Sequence, residues 1–556
     1  MEDKIRYFAL ENAIKFNGRA NPGAIIGKLL SLDPELKKEM KSISGKIQEI
    51  VKDVNSKTLD EQRSEFDSFE KIEKPKKIVV EGLPDLPNAI QGKVVTRIPP
   101  EPSKYAHLGH ALSFLINYTY AKKYDGKCLL KFEDTNPGKV TQEFVDAMQD
   151  DILNYLKVEA DVIFISDDME YMYDEARRLI KMNKAYVCFC DRESMQELRH
   201  AGTECKCRDR KTDDNLDEFE NMINKKYKTG ECVLRLVGQM DAKNQVMRDP
   251  VLFRITYESH YKLKDKYCTW PLYDFENSVE DCKYGVTHIL RSSEFGTMRT
   301  ELQNYIKDCL GYEKQTIVQY GRFNIKDATT KGREIRELIE QNKVTGWDDP
   351  SLVTLKALKR RGIVQEALVS LMNQMKISAN TGKNIDWSMI NSANKSILDP
   401  IVNRYFFIED PVEIEIQNAP EQNIKLNLHP DYSDRGTRSF KTKTKFFVTK
   451  KDFEQFKDGE LVRLMDCLNF KVDGSKLIFD SLEYENFKNK GRQIIQWIPF
   501  DQKVEMSVRM PDNEIKKGYT ELAIDKLKVD DSVQFQRFGF CRLDNQENNS
   551  FWFSNK

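Results

Sequence analysis

The sequence lacks any long apolar run. None of its 556 residues lies in a stretch approaching the ~18 consecutive apolar residues of a membrane-spanning helix. The amino terminus, MEDKIRYFAL, also lacks the apolar segment of a secretory signal peptide. We therefore expect a cytosolic protein without a membrane span, whose cysteines are reduced.

The sequence has almost no excess of charge of either sign. Its 88 lysines and arginines balance 89 acidic residues, leaving a formal net charge of −1. This argues against a uniformly basic protein, but a nucleic-acid ligand needs only local clusters of Lys and Arg. The length implies about three or four domains.

Four of the 11 cysteines form two CxC pairs, Cys188-Phe189-Cys190 and Cys205-Lys206-Cys207. Four thiolates complete a tetrahedral structural zinc site. The CxC spacing is rarer than CxxC and should require an extended backbone. Two interpretations stay open, a zinc site and four free thiols.

One segment has the pattern of a nucleotide-binding turn. Residues 97–111 read RIPPEPSKYAHLGHA, between a short apolar run and a helix-like segment. A strand, a tight turn and a helix start bind phosphates in doubly wound α/β folds. Gly109 permits close backbone approach, and His107 and His110 can direct ring N–H groups at phosphate oxygens. By itself, HxGH more often marks two surface or helix-capping histidines.

Further patterns predict the remaining organisation. Strand–helix alternation from Lys93, with a strand KCLLKF and a helix over 139–157, predicts a parallel sheet, and we expect the alternation to resume at VLFRITY after an insertion. Residues 56–78 read as a charged linker, and 357–361 as a basic helical face. Period-two alternation after Pro411 predicts barrels or sandwiches. The predicted domains are 1–78 (helical extension and linker), 79–190 and 256–325 (two halves of an α/β domain), 191–255 (insertion), 326–410 (helical connector) and 411–556 (β domains).

Three blocks resemble class I aminoacyl-tRNA synthetases, most closely the glutamyl/glutaminyl branch. Residues 97–111 are similar to that branch's RFPPEPxGxLHIGHA, and LLKFEDTNP at 129–137 is similar to LRFxDTNP. WPLYDF at 270–275 and GVTHILR at 285–291 resemble YPTYDF and GVTHxLR. An NPGAxIG-like run near the amino terminus and the all-β carboxy-terminal part resemble the archaeal/eukaryotic type of glutamyl-tRNA synthetase.

The resemblance covers nearly the whole chain and implies a multidomain α/β fold. Its parts would be a Rossmann-like catalytic domain, an inserted acceptor-end domain, a helical connector and anticodon-binding β-barrels. The implied activity is a ligase using ATP with Mg²⁺, which forms glutamyl-adenylate and transfers glutamate to the terminal adenosine of tRNA(Glu). tRNA(Gln) is a second candidate substrate, and we expect a monomer. The resemblance also implies that tRNA must be bound before glutamate is activated.

The resemblance also implies roles for individual residues. His107, His110 and Lys331 would be catalytic. Arg97 and Arg291 would bind the glutamate carboxylates, with Glu133 and Tyr273 holding its ammonium group and body. ATP contacts are implied for Pro99, His107, Gly109, His110, Thr330 and Lys331. Without the resemblance, Glu133 would be an ordinary carboxylate at a strand end and Tyr273 an ordinary core tyrosine. Arg291 would be a surface salt-bridge partner.

Arg291 separates the subtypes. A guanidinium pairs bidentately with a carboxylate but faces an amide N–H₂ unfavourably. Leaving a buried arginine unpaired costs on the order of 2–5 kcal/mol, so glutamine should be rejected. The resemblance implies that glutaminyl-tRNA synthetases, the nearest alternative, lack this arginine.

Two departures from the family pattern bear on activity. Lys104 replaces a glycine, either as a further cation beside the ATP phosphates or as a solvent-facing residue. The KMSKS-like loop reads DATTKGR at 327–333, with Lys331 at the catalytic lysine and Gly332 in place of a basic residue. This divergence keeps open a non-catalytic tRNA-binding paralogue.

RNA contacts are indicated by one segment only. Residues 438–453, RSFKTKTKFFVTKKDF, mix lysines with aromatic residues in a strand-rich region. Phosphate contacts with base stacking and a solvated strand face both fit this composition.

Overall fold

A computed structural model describes residues 2–32, 40–69, 83–375 and 382–556. The chain divides into two compact units, Met1–Glu81 and Gly82–Lys556. The first unit confirms the predicted helical extension as a small bundle, whose core contains Phe8, Ile25, Ile47 and Val54. Its helices are α1 (Glu2–Lys15), α2 (Pro22–Leu32), α3 (Met40–Ser56) and α4 (Leu59–Phe66).

Helix α4 corrects the interpretation of 56–78 as a linker. Thr58 and Glu61 form a capping box at its start. The buried Gln62 amide donates to the carbonyl of Val54 at 2.8 Å, and the Phe66 ring lies 5.0 Å from that of Tyr7. The segment has few apolar residues, so its helix depends on the cap and these contacts. The rest of the predicted linker, from residue 70, lies outside the described residues.

The second unit begins with a parallel sheet, as predicted. Strand KCLLKF pairs on both sides, giving the order β1–β2–β3. The predicted helix 139–157 is present in part, because its second half is a π-helical turn over Asp150–Tyr155. The elements are β1 (Val95–Ile98), α5 (Leu108–Lys123), β2 (Lys127–Phe132), α6 (Gln142–Gln149), β3 (Asp161–Phe164) and α7 (Met169–Lys181).

An antiparallel four-stranded sheet follows, in the order β4–β5–β6–β7. The expectation that parallel alternation resumes at VLFRITY is therefore wrong: Val251–Ile255 pairs antiparallel with both neighbours. A short apolar run reveals burial but not the direction of its partner strand. The elements are β4 (Ala185–Cys188), α8 (Arg192–Ala201), α9 (Thr212–Ile223), β5 (Val233–Leu236), β6 (Val251–Ile255) and β7 (Thr269–Pro271).

The parallel sheet continues after this insertion. Strands β8 and β9 are parallel, and the Thr287 amide donates to the Val95 carbonyl at 3.0 Å, which sets β8 beside β1. The carboxyl ends of β1, β2 and β8 therefore share one edge, where ligands bind in such sheets. The elements are α10 (Tyr273–Lys283), β8 (His288–Ser292), α11 (Gly296–Leu310), β9 (Thr316–Tyr320), β10 (Phe323–Ile325) and α12 (Gly332–Glu340).

The helical connector is fixed to the carboxy-terminal part by arginines. Arg360 donates from Nε and Nη2 to the Asp544 carboxylate at 2.9 and 2.8 Å, and Arg361 donates to the Ser554 carbonyl at 3.0 Å. The predicted basic face at 357–361 is thus wrong for its arginines, which make internal contacts. The elements are α13 (Leu355–Arg360), α14 (Gln365–Gln374), β11 (Lys383–Ile385) and α15 (Trp387–Leu398).

The strands predicted after Pro411 are confirmed, although the β-rich part begins earlier, at Asn403, because two short strands of the predicted connector pair in one of its sheets. Two seven-stranded sheets have the orders β12–β25–β26–β27–β23–β24–β13 and β21–β18–β19–β20–β14–β17–β22, and β15 and β16 form a hairpin. Across the described ranges, no helix combines the length and apolar character that a membrane crossing needs. The elements are β12 (Asn403–Tyr405), β13 (Phe407–Glu409), β14 (Pro411–Gln417), β15 (Gln422–Asn427), β16 (Thr437–Thr442), β17 (Lys445–Thr449), α16 (Lys450–Phe453), β18 (Leu461–Leu464), β19 (Asn469–Asp473), β20 (Lys476–Ser481), α17 (Tyr484–Phe487), β21 (Gln493–Ile495), β22 (Ile498–Pro499), β23 (Val504–Arg509), β24 (Ile515–Thr520), β25 (Ser532–Phe535), β26 (Gly539–Asn545) and β27 (Ser550–Asn555).

Candidate active site

The two histidines of the HxGH turn stack on each other at the start of α5. Their ring centroids are 3.8 Å apart. The amide of Gly109 donates to Nδ1 of His107 at 3.1 Å, and the amide of His107 donates to Nδ1 of His110 at 3.4 Å. Since both Nδ1 atoms accept, each ring proton belongs on Nε2, which leaves two N–H donors. The histidines therefore cap the helix and can also donate to a ligand.

Both rings are neutral at physiological pH. Burial lowers the pKa of His107 well below its ordinary value, and the neighbouring His110 and Lys104 act in the same direction. Burial, with Lys104, lowers the pKa of His110 to about 3. A neutral ring keeps its Nε2–H donor without a charge that would have to be desolvated.

Nitrogen NMR of the ¹⁵N-histidine-labelled protein should show this directly. We expect His107 and His110 to remain neutral, with the proton on Nε2, from pH 8 to pH 5.5. Because their folded pKa lies below the unfolded value of ~6.5, their contribution to stability is complete above pH ~6.5 and declines as the pH falls. His107→Asn and His110→Asn assign the signals. An ordinary titration near pH 6.5 by either ring would contradict this geometry.

The predicted glutamate pocket lies at the carboxyl ends of the strands. Arg97, in β1, is 2% exposed, and its Nη1 is buried without a hydrogen-bond partner among the described residues. Glu133 directly follows β2, and its carboxylate accepts from Nδ2 of Asn277 at 2.9 Å. Burial raises the pKa of Glu133, and Lys131 and Arg97 oppose that rise. A buried guanidinium and a carboxylate thus lie within electrostatic reach of each other.

The other two predicted pocket residues join this group. Burial and Glu133 raise the pKa of Tyr273, while Arg97 and Arg291 oppose the rise, so these three charged side chains lie within electrostatic reach of Tyr273. Arg291 is 4% exposed, and it donates to Oε1 of Gln303 at 2.8 Å and to Oγ1 of Thr300 at 2.7 Å. Burial lowers its pKa. The arginine is held in position by neutral oxygens and is not a surface salt-bridge partner.

Sequence reasoning missed the ion group behind the pocket. Asp281 accepts from Nζ of Lys131 at 2.6 Å and from Nε of Arg97 at 3.3 Å, with all three side chains buried. Although burial acts to raise it, Lys131 and Arg97 bring the pKa of Asp281 down to about 2. Asp281 therefore stays ionised and orients Arg97. The readable signal was Lys131, a lysine within an otherwise buried strand.

Asp134, in the LLKFEDTNP segment at 129–137, connects two parts of the fold through hydrogen bonds. Its carboxylate accepts from the amide of Ser166 at 2.9 Å and from the Tyr261 hydroxyl at 3.0 Å. Its carbonyl lies 2.8 Å from Nε2 of His260. Asp134 thus joins the end of β3 to the chain between β6 and β7.

The predicted catalytic loop lies at the start of α12. Lys331 is its N-cap residue, with a side chain 74% exposed and paired with Oε1 of Glu334 at 2.8 Å. Thr330 is half-buried, and its carbonyl accepts from Nζ of Lys104 at 3.3 Å. Pro99 directly follows β1, and Gly109 lies 3.6 Å, measured from an added Cβ, from the Phe323 carbonyl. The loop and the HxGH turn are therefore neighbours.

The four predicted metal-binding cysteines form one cluster. Their sulfur atoms all lie within 4.8 Å of one another, with Cys188–Cys205 at 3.9 Å and Cys190–Cys207 at 3.8 Å. A tetrahedron of Zn–S bonds of about 2.3 Å has sulfur–sulfur edges of about 3.8 Å. The extended backbone expected for CxC holds for Cys205, whereas Cys207 lies in a 3₁₀ turn over Lys206–Asp209. The donor set and its spacing fit zinc.

The lysine-rich segment at 438–453 divides between the core and the surface. Arg438 is buried and pairs with Glu521, so the structure removes it from the possible RNA contacts. Lys441 and Lys445 are exposed. Beside them, Nζ of Lys503 lies 4.9 Å from the ring centroid of Phe500.

Comparisons with known proteins agree with this arrangement. Residues 93–400 match the family described as tRNA synthetases class I (E and Q), catalytic domain. Residues 402–483 and 494–544 match two descriptions of the anti-codon binding domain of the same synthetases. These matches cover the parallel sheet, its insertion, the connector and most of both seven-stranded sheets.

Similar proteins include glutamate–tRNA ligases of archaea. That of Pyrococcus abyssi is 39% identical, over 97% of this chain and 96% of its own length. That of Methanocaldococcus jannaschii is 37% identical, over 99% of both chains. A solved glutamate tRNA ligase from Elizabethkingia meningosepticum is 15% identical, with a TM-score of 0.42 over 56% of this chain and 70% of that chain. On the family match and the full-length relatives, the chain belongs to the class I tRNA synthetases of the E and Q family.

Proposed function

We propose that this enzyme is a glutamate–tRNA ligase that activates L-glutamate with ATP and transfers it to tRNA(Glu). The observation that carries this proposal is the group formed by Arg97, Glu133, Tyr273 and Arg291 at the edge of the parallel sheet. Two buried cations beside one carboxylate match an amino acid that has two carboxylates and one ammonium group.

The pocket residues would divide the substrate between them. Glu133 would accept from the ammonium group, and its raised pKa would return to an ordinary value beside that cation. Arg291 would pair bidentately with the side-chain carboxylate, because Gln303 and Thr300 hold its fork in place. Arg97, oriented by Asp281, has Nη1 available for a carboxylate oxygen.

The HxGH turn and the loop would bind the phosphates of ATP. Each reaction step moves negative charge onto phosphate or carbonyl oxygens, so preorganised N–H donors and cations lower the barrier. His107 and His110 supply neutral Nε2–H donors, and Lys331 supplies a mobile cation. Mg²⁺ would enter bound to the phosphates, whose charge it neutralises.

Two alternatives remain testable. In a glutaminyl-tRNA synthetase, the side-chain amide of the substrate glutamine would have to lie where the glutamate carboxylate pairs with Arg291. A non-catalytic paralogue would keep tRNA binding without activation, and the pairing of Lys331 with Glu334 is the feature that favours it.

An aminoacylation assay distinguishes these functions. Glutamate and glutamine are each tested with tRNA(Glu) and with tRNA(Gln). We expect glutamate to be attached to tRNA(Glu), and charging of tRNA(Gln) with glutamate would establish the second substrate. Attachment of glutamine alone would overturn the proposal in favour of the glutaminyl enzyme.

We also propose that Cys188, Cys190, Cys205 and Cys207 hold a structural zinc ion. The four sulfurs would complete the coordination shell, leaving no position open for catalysis. The site would link the end of β4 to the turn that precedes α9.

Elemental analysis of protein purified without chelator should give about one zinc per chain, since one tetrahedral site uses four thiolates. Cys205→Ser should lose most of the metal and lower the melting temperature. Cys309→Ser, at a cysteine outside the cluster, is the matched control and should keep the zinc. Metal-free parent protein would establish the free-thiol alternative.

The exposed lysines around Phe500 are our proposal for a tRNA contact. Lysines can bind phosphates while an aromatic face stacks on a base. With these substrates we expect a monomer working in the cytosol.

A further inference from the structure

Lys104 occupies a defined place between the two ATP motifs. It lies in the turn between β1 and α5, three residues before His107, and its side chain is half-buried. Its Nζ donates to the carbonyl of Thr330 at 3.3 Å, across a sequence separation of 226 residues. The structure therefore excludes the solvent-facing alternative for this lysine.

The methylene chain of Lys104 packs against a glycine, Gly332, whose lack of a side chain leaves room for it. Gly332 is buried, and a Cβ added there would lie 3.1 Å from Cδ and 3.2 Å from Cβ of Lys104. These separations are tighter than ordinary van der Waals contact, so a side chain at 332 would have to move the lysine. The glycine in the loop and the lysine in the turn are thus complementary.

The charge of Lys104 is concentrated with others of the same sign. Burial lowers the pKa of Lys104, as do Arg322 and Arg336, while Glu101 acts against them. Like charges held together in a partly buried place repel each other, and an anion relieves that repulsion. The start of α5 and the Nε2–H groups of the histidines add further donors at the same place.

We propose that Lys104 is a phosphate-binding residue for ATP, whose Nζ exchanges the Thr330 carbonyl for a phosphate oxygen when ATP binds. This inference rests on the proposed function and adds a residue to the ATP-binding set that the resemblance implies. The exchange would release the 327–333 loop from the turn at the moment when Lys331 has to reach the same phosphates. Lys104 would thereby couple ATP binding to loop movement.

Calorimetry with Mg²⁺–ATP and with adenosine tests the contact without relying on turnover. Lys104→Met keeps the stem on Gly332 but removes the charge. It should weaken ATP binding by about 10- to 100-fold, the scale of one charge-assisted hydrogen bond. Adenosine, which lacks phosphates, should bind as to the parent, and Lys104→Arg should restore most of the ATP affinity.

Controls separate charge from structure. Lys127→Met alters an exposed lysine at the amino-terminal end of β2, whereas the site lies at the carboxyl ends of the strands. This variant should bind ATP like the parent. Gly332→Ala should weaken ATP binding in the parent by displacing Lys104, but should have no further effect in a Lys104→Gly background. An additive effect there would contradict the contact between the two residues.

Two results would overturn the proposal. Lys104→Met could bind ATP with the parental affinity, and slower glutamate activation at that affinity would leave Lys104 as a support for the loop. It could also lose ATP and adenosine affinity equally, which would show that its effect does not depend on the phosphates. Parent protein that binds Mg²⁺–ATP but charges no tRNA with glutamate would refute the proposed function instead, and the binding comparison would still stand.

Discussion

Replacing Arg291 with glutamine should lower kcat/KM for the glutamylation of tRNA(Glu) on the order of 10³-fold, because a buried carboxylate loses its bidentate partner. The arginine is 4% exposed and is held by Gln303 and Thr300. Water at this buried place would not restore the hydrogen bonds and charge that the guanidinium offers to the carboxylate. Glutamate charging with a discontinuous assay, at saturating tRNA and ATP, measures the loss.

Two matched variants make that result specific. Arg291→Lys keeps the charge but not the planar fork, and should recover only part of the activity. Arg177→Gln removes an arginine that pairs with Glu220 away from the pocket, and should charge glutamate normally. Parental glutamate charging by Arg291→Gln would show that the pocket is assigned wrongly.

Replacing Lys331 with alanine should lower tRNA-dependent ATP–pyrophosphate exchange by roughly 10²- to 10³-fold, the effect of losing one preorganised charge partner. The side chain is 74% exposed and paired with Glu334, so it has to leave that carboxylate to reach the phosphates. Lysine suits such a movement because its stem is flexible. ATP affinity, measured by calorimetry, should change far less than the exchange rate.

The neighbouring groups supply the controls for this loop. Glu334→Gln frees Lys331 from its ion pair and should retain exchange. Lys326→Ala removes an exposed lysine that precedes the loop and should have a small effect. If Lys326→Ala and not Lys331→Ala abolishes exchange, the catalytic cation has been placed on the wrong lysine.

The sequence was sufficient to predict elements whose local pattern of apolar residues fits only one kind of structure. The alternating apolar residues after Pro411 predicted strands, and KCLLKF predicted a buried strand of a parallel sheet. The grouping of Arg97, Glu133, Tyr273 and Arg291 was implied by resemblance, and in the structure the three charged side chains lie within electrostatic reach of Tyr273. Their roles stay predictions.

The sequence was insufficient where a residue distant in the chain determines the direction of a strand or the surroundings of a side chain. VLFRITY is apolar in either kind of sheet, and only pairing with β5 and β7 makes it antiparallel. Asp281 stands unremarkably in a charged helical segment, although Lys131, 150 residues away, makes it the anchor of the pocket. Lys104 could be read as solvated until Thr330 and Gly332 were found against it.

The most direct test of glutamate activation is ATP–pyrophosphate exchange by the parent enzyme, measured with glutamate and with glutamine, with and without tRNA(Glu). We expect exchange only when glutamate and tRNA(Glu) are both present, since the resemblance implies that tRNA binds before activation. Glutamine should give no exchange, because an amide leaves Arg291 without a carboxylate. Exchange with glutamine, or none with glutamate and any tRNA, would contradict the account.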